Sequence, residues 1–380
     1  MTQVRISAAA LRHAEPGLSL PLMVLVQVLA AVAGAAVDFT VTDFSYGDVR
    51  LKVLTNRRTG ENASIIENYG GCVDELFLLS SRSTLKRVLW DHGRNSSDVD
   101  ANPTWKGRML LPYANRIGNA TYLFNGTRHV LPVNDVAGLN NSLHGLLWNK
   151  PMELVSSSGG AASATVKLRY RFDGSDRGFP FALRVEISYT LDAKGFWMQV
   201  DASNLDPNGW PLPYYNGWHP YFLVSDMSKA KIVLDNCTPH VHIDVETGPH
   251  FPPPRFSNMV PSGHISPWKN NNGTDAIGGN ASVPAYMDDE VKALRACPGN
   301  EDGFFATRLV DPVLSDTTVL LHDQSFRYLQ IFTGAKATWG ADAVVLEPLS
   351  AMSDAYNNHD GLHVISAGET FSSRFGVRVE

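Results

Sequence analysis

A chain of 380 residues with 44% hydrophobic and 18% charged residues has ample material for a packed core, which excludes wholesale disorder. A net charge of -6 with no Lys/Arg run excludes the electrostatic footprint of a nucleic-acid binder. Length leaves open one large β domain or two average ones, since all-β sandwiches often exceed the usual domain size.

Residues 1–36 differ from the rest: Arg5 and Arg12 precede the apolar run "LSLPLMVLVQVLAAVAGAAV", which ends in small residues of the kind signal peptidase accepts. The expectation is a signal peptide cut near Ala35 or Ala36, or a signal anchor, because the run barely reaches the roughly 20 residues of a membrane span. Residues 37–380 then form the mature domain. Eight Asn-X-Ser/Thr sequons, at Asn62, Asn95, Asn119, Asn125, Asn140, Asn236, Asn272 and Asn280, exceed chance frequency and point to a glycosylated protein of the secretory pathway. Three cysteines, Cys72, Cys237 and Cys297, allow one internal disulfide at most.

Alternating apolar stretches recur along the chain, among them "ASIIENYG", "ATYLFNGTRHVL", "ATVKLRYRF", "FALRVEISYTL", "FWMQVDASNL", "TTVLLHD", "RYLQIFTG", "DAVVLEP" and "FSSRFGVRVE". Most are closed by Gly, Asn, Asp or Pro. The best helix candidate, "DELFLLSSRSTLKRVLW", reads equally as two strands joined by a turn. The fold class is therefore all-β, an antiparallel sandwich in one domain. The Pro-, Asn- and Gly-rich stretch from "ETGPHFPPPRF" to "KNNNGTDAIGGNASVP" reads as a long surface excursion.

Several polar residues stand in contexts that carry chemistry. In "KGRMLLPYANRIG", Arg108 and Arg116 each offer a fork of donors to hydroxyl or carboxylate oxygens, or else a structural salt bridge. In "NNSLHGLLW", Gly145 beside His144 permits close approach of a ligand, and Trp148 offers a flat apolar face. In "PYYNGWHPYF", His219 lies between Trp218 and Pro220; taken alone, core packing is the plainer reading, and a tuned proton donor the sharper one. Asp302 in "GNEDGFF" precedes an aromatic strand start. In "VVLEPLSAMSDAYNN", Glu347 follows an apolar run, and Pro348 is expected to end that strand and leave the carboxylate at the sheet's rim. "MDDE", reaching Asp288 to Glu290, reads as a solvated loop. The His240–His242 spacing in "HVHID" lacks the rest of a zinc set, and neither a Gly-x-Ser-x-Gly elbow nor a phosphate-cradling loop occurs.

Taken in order, "GR…PYANRI", "LHG…W", "GWHPYF", "EDGFF" and "LEPLSAMSDAYN" resemble the aldose 1-epimerase (galactose mutarotase) family over roughly residues 60 to 375. That resemblance implies a large antiparallel β-sandwich, the supersandwich, and interconversion of the α and β anomers of a free hexose such as glucose or galactose. It implies Glu347 as general base and His219 as general acid, with Arg116, His144 and Asp302 binding substrate and no cofactor or metal. Glu301 neighbours Asp302 and competes for its role, and after His144 this chain reads Gly-Leu-Leu where many members read Gly-Gly. Trp218, Tyr215 and Trp148 are candidate stacking platforms for a sugar ring, or else core. Two other readings stand beside this one: a hexose-6-phosphate epimerase, which needs extra cations around the pocket, and a sugar-binding protein without turnover.

Overall fold

The computed structural model describes residues 37–234, 240–247, 256–267, 274–276, 288–293 and 303–380, with the side chains at 240–247, 256–257, 266–267, 274–276 and 336–337 left aside. The segment 1–36, Glu301, Asp302, Cys237, Cys297 and the sequons at Asn236, Asn272 and Asn280 lie outside the described residues. So do the side chains of His240 and His242, whose backbone belongs to the strand His240–Thr247.

Antiparallel strands dominate. The longest α-helix among the described residues is Ser96–Ala101. "DELFLLSSRSTLKRVLW" resolves as two strands, Cys72–Leu79 and Leu85–Arg87, paired through Phe77 and Arg87. They complete a five-stranded meander with Phe39–Tyr46, Val49–Asn56 and Asn62–Ile66.

Two larger sheets pack across the main core. The first, of nine strands, begins with the meander Glu153–Gly159, Ser163–Asp173, Ala182–Asp192 and Gly195–Asn204, then continues through Thr370–Val379, Asp316–His322 and Phe305–Asp311. Ser163–Asp173 and Ala182–Asp192 alternate buried and half-buried residues over most of their length, as a sheet with one face on the core must.

The second sheet, here the site sheet, runs Phe256–Pro267, His240–Thr247, Asp288–Ala293, Tyr328–Phe332, Ala343–Leu349, Gly217–Trp218, Met109–Leu110, with Tyr221–Leu223 also paired to Ala343–Leu349. Part of the Pro- and Asn-rich stretch read as a surface excursion thus supplies an edge strand, Phe256–Pro267. "MDDE" is corrected in the same way: Asp288 starts the strand Asp288–Ala293, and Glu290 is buried in it. An acid-rich run can be a strand where its carboxylates find donors, and Glu290 accepts the backbone N–H of Ser353 at 3.1 Å.

Leu346, Val344, Ile331 and Leu329 of the site sheet share one core with Leu168, Val185, Ile187, Phe375 and Val377 of the nine-stranded sheet. Because strand side chains alternate, Glu347 and Val345 project from the other face. That outward face positions the candidate site.

Candidate active site

Pro348 does not end its strand. Ala343–Leu349 continues through it, with Leu329 opposite Pro348, and Glu347 lies in the sheet's interior rather than at the rim. The partner strand explains why this is tolerated. Gly217 pairs with Leu349 and Tyr221 with Val345, four residues apart on both strands, so one register spans both pairs. That register sets His219 opposite Glu347 in a gap where the ladder lapses, between Pro220 on one strand and Pro348 on the other, neither of which has an N–H to donate. On its far side His219 is held normally: its N–H donates to Arg108 O at 3.0 Å and its carbonyl accepts Gly107 N–H at 2.9 Å.

Across the neighbouring strands Glu290 faces Gln330 and Gln330 faces Glu347. Directly opposed residues share a face. Glu290, Gln330, Glu347 and His219 therefore form one polar row. Within it His219 Nε2 lies 3.3 Å from Glu347 Oε1, both side chains nearly inaccessible. His219 Nδ1 and Glu347 Oε2 are buried without a hydrogen-bond partner among the described residues. The imidazole stacks on Tyr221, ring centroids 5.2 Å apart, and meets the His144 ring edge-on at 5.1 Å.

Burial lowers the His219 pKa to about 3. It raises Glu347 well above the carboxylate range, reinforced by Asp288 and Glu290 and opposed by Arg116. The two shifts favour a proton on the carboxyl over one on the ring, and titration of so close a pair belongs to both groups.

His144 has a left-handed backbone (φ 60) and is followed by Gly145 (φ 79), where a Cβ would lie 2.2 Å from Leu111 O. Only glycine fits there. Leu146 and Leu147, which follow it, give their N–H groups to that same Leu111 carbonyl at 2.7 and 3.1 Å. Asn115 clasps His144 from both sides: its carbonyl accepts His144 N–H at 3.1 Å, and its own N–H donates to His144 Nδ1 at 3.3 Å. Burial, then His219 and Arg116, keep this ring neutral. With Nδ1 accepting, the hydrogen sits on Nε2, which becomes a donor toward the pair.

His144, His219 and Glu347 bring their potential ligand atoms within 4.8 Å of one another, close enough to hold a cation. The tautomer opposes that use. A metal-bound His donates its second N–H to an acceptor, whereas His144 Nδ1 faces a donor.

Arg116 lies on the short strand Arg116–Ile117, where it pairs with Leu143 and so adjoins His144. Its Nε donates to Asp135 Oδ2 at 2.8 Å, and the same oxygen accepts Asn141 Nδ2 at 3.0 Å. Burial works against the guanidinium charge, but Asp135, Asp288 and Glu347 outweigh it and raise the pKa. Gln330 joins the surroundings by accepting from Asn115 Nδ2 (3.1 Å) and donating to Asp288 Oδ1 (2.8 Å).

The structure thus brings together His219, Glu347, His144 and Arg116. It removes Trp218 from the set: the indole is wholly buried, stacks on Phe375 at 5.6 Å and donates to Gly107 O, because the neighbour of a site-facing strand residue must face the core. Tyr215 is likewise core, edge-on to Tyr356. Arg108 is fully buried and anchors the loops, donating to the carbonyls of Tyr69, Val99 and Trp148 and to Asn102 Oδ1. Trp148 is half-buried and edge-on to Trp105, whose ring lies 4.9 Å from His144. Trp105, Asn115, Asp135, Asp288, Glu290 and Gln330 are site residues the sequence reading missed. Trp105 alone carried a visible signal, an aromatic between Pro103 and Gly107.

The profile of the aldose 1-epimerase family matches residues 52–378. Three solved structures share the fold at low identity. A galactose mutarotase-like protein from Clostridium acetobutylicum has a TM-score of 0.69 at 18% identity, covering 90% of this chain and 99% of that one. A GalM/aldose epimerase homologue from C. elegans scores 0.68 at 14%, covering 90% and 99%. Galactose 1-epimerase from Lactobacillus acidophilus scores 0.65 at 14%, covering 91% and 99%. YihR, an uncharacterised protein of Escherichia coli K12, is 28% identical over 116 residues, which make up 30% of this chain and 35% of that protein, so the match spans about a third of the relative's length. With a family profile running almost the full length of an all-β fold that these structures share, the chain belongs to the aldose 1-epimerase family.

Proposed function

We propose that the chain interconverts the α and β anomers of a free hexose by acid–base ring opening and reclosure. The observation that carries this reading is the buried His219–Glu347 contact of 3.3 Å, across which, in this reading, one proton is shared. Hydroxyl groups of a bound pyranose act as donors to the carboxylate and favour passing that proton to His219. Glu347 then takes the proton of the anomeric hydroxyl while His219 protonates the ring oxygen. The C1–O5 bond breaks, C1–O1 becomes a carbonyl, and the open aldehyde rotates. Reclosure reverses both transfers: His219 recovers the O5 proton as O5 attacks the carbonyl carbon, and Glu347 returns its proton to O1. The proton total of the pair is the same at each stage, so no exchange with solvent is needed. His144 Nε2–H is a donor to the sugar oxygens, and the free end of the Arg116 fork is another.

Charge favours a neutral sugar over a hexose phosphate. Arg116 is already matched by Asp135, and Asp288 and Glu290 add negative groups beside the pair. A dianion there meets like charge. The test is polarimetry of fresh α-D-glucose, α-D-galactose and α-D-glucose 6-phosphate. The expected result is accelerated relaxation of the free hexoses, lost in Glu347→Gln and His219→Asn; relaxation at the buffer rate with sugar still bound would leave a non-catalytic binder.

The secretory reading is likewise ours. Asn95, Asn119, Asn125 and Asn140 are exposed, as acceptors must be, which supports it. An endoglycosidase mobility shift of the protein from a eukaryotic host, with the N-terminal residue of the mature chain read by mass spectrometry, tests it.

A further inference from the structure

On the opposite side of the sandwich the outer face of the nine-stranded sheet holds a cleft of about 720 Å³. Its floor is built around Thr370–Val379. Phe375 and Val377 point into the core, so Arg374, Gly376 and Arg378 point out. Trp197 and Leu321 flank Gly376 from the two adjoining strands. A Cβ at residue 376 would lie 2.4 Å from the indole, so glycine is what lets Trp197 lie flat against the strand. Arg374 is stacked in turn on aromatic rings, its guanidinium 4.6 Å from the Trp197 centroid and 5.7 Å from that of Phe304.

This stack positions the guanidinium without using its donors. The backbone N–H of Arg374 goes to Asp323, but its side-chain N–H groups bond to no acceptor among the described residues. The two carboxylates of the cleft already accept donors other than Arg374. Glu61 accepts from Leu79 N–H, Asn56 and Thr59, and Asp192 accepts from Lys194 N–H and Trp197 Nε1. Lys194 lines the same space, as does Arg378, which is paired with Glu380. A planar fork, fixed by two rings at the edge of a ligand-sized cleft, matches the paired oxygens of a carboxylate, sulfate or phosphate. No role in anomer exchange reaches this face.

We propose that the cleft is a second binding site, for a small polar molecule carrying an oxyanion, with Arg374 as its anchor. The test is isothermal titration of the whole mature protein with D-glucuronate, inorganic sulfate and inorganic phosphate, against Arg374→Gln and His219→Asn. Saturable binding is expected, weakened about tenfold or more in Arg374→Gln and unchanged in His219→Asn. Tighter binding of glucuronate than of the bare anions identifies an acidic sugar; equal or tighter binding of sulfate or phosphate identifies the free anion. Unaltered mutarotation or thermal melting of Arg374→Gln shows that its fold is intact. Absence of saturable binding, equal affinity in Arg374→Gln, or loss of binding in His219→Asn would overturn the proposal, the last by moving the anion to the acid–base pair. None of these outcomes bears on whether the pair turns over a hexose.

Discussion

The nine-stranded sheet and the site sheet give the shared core the same kind of apolar face, yet they are built differently. The first rests on strands of 10 and 11 residues whose registers run unbroken, Ser163–Asp173 against Ala182–Asp192 and that strand against Gly195–Asn204. The second, around Glu347, is pieced together from strands of two, three, five and seven residues, with the ladder interrupted beside two prolines. An unbroken ladder satisfies its own backbone and leaves nothing for chemistry. The interruption keeps the register but frees the space between His219 and Glu347, so the regular sheet contributes stability and the pieced one the pair proposed to react.

That division can be broken from either side. The largest effect is expected at the pair: Glu347→Gln and His219→Asn should each lower kcat about a hundredfold to ten-thousandfold, and the double variant scarcely more, since two members of one proton relay do not act independently. Equal, multiplicative losses would separate the two residues into different steps. On the regular side, Phe172→Ala, fully buried in the main core, should cost about 3–5 kcal/mol in denaturant unfolding and leave kcat per folded molecule unchanged. Asp135→Asn should raise KM about tenfold with kcat little altered, because it loosens Arg116 rather than the proton transfer. A loss confined to kcat would instead put Arg116 in the chemistry.

The smallest effect is on stability against pH, and its sign differs for the two partners. His219 is held near 3, below its unfolded value of about 6.5. Between those values the unfolded chain binds a proton that the folded chain refuses, so stability falls as pH drops through that window. Glu347 is held above its unfolded value, so the folded chain retains a proton that the unfolded chain has lost, and stability falls as pH rises above about 4.5. His219→Asn should flatten the loss of Tm as pH falls below about 6.5, and Glu347→Gln the loss as pH rises above about 4.5.

Much of this was legible in the sequence because strand alternation and motif order are local signals. The stretches around Ser163–Asp173, Ala182–Asp192 and Thr370–Val379 announced the regular sheet, and "PYANRI", "LHG", "GWHPYF" and "LEP" marked Arg116, His144, His219 and Glu347. What escaped depended on pairing across the chain. Glu290 and Asp288 looked solvated because nothing nearby in sequence shows Ser353 or Gln330 waiting for them. Pro348 looked like a strand end because the gap that accommodates it lies some 130 residues earlier, at Pro220. Trp218 was misplaced for a subtler reason: once His219 faces the site, the two-residue period of a strand already sends its neighbour to the core.

The row Glu290–Gln330–Glu347–His219 carries one further consequence. Its backbone register is set by strand pairs on either side of it, and the central gap asks nothing of the side chains that project there. The sheet is thus a mounting plate with interchangeable fittings. Redesign of the site toward another sugar, or another proton-transfer reaction, is a matter of exchanging side chains along that row, together with the partners that Glu290 and Gln330 hold, with no strand lengthened, shortened or shifted.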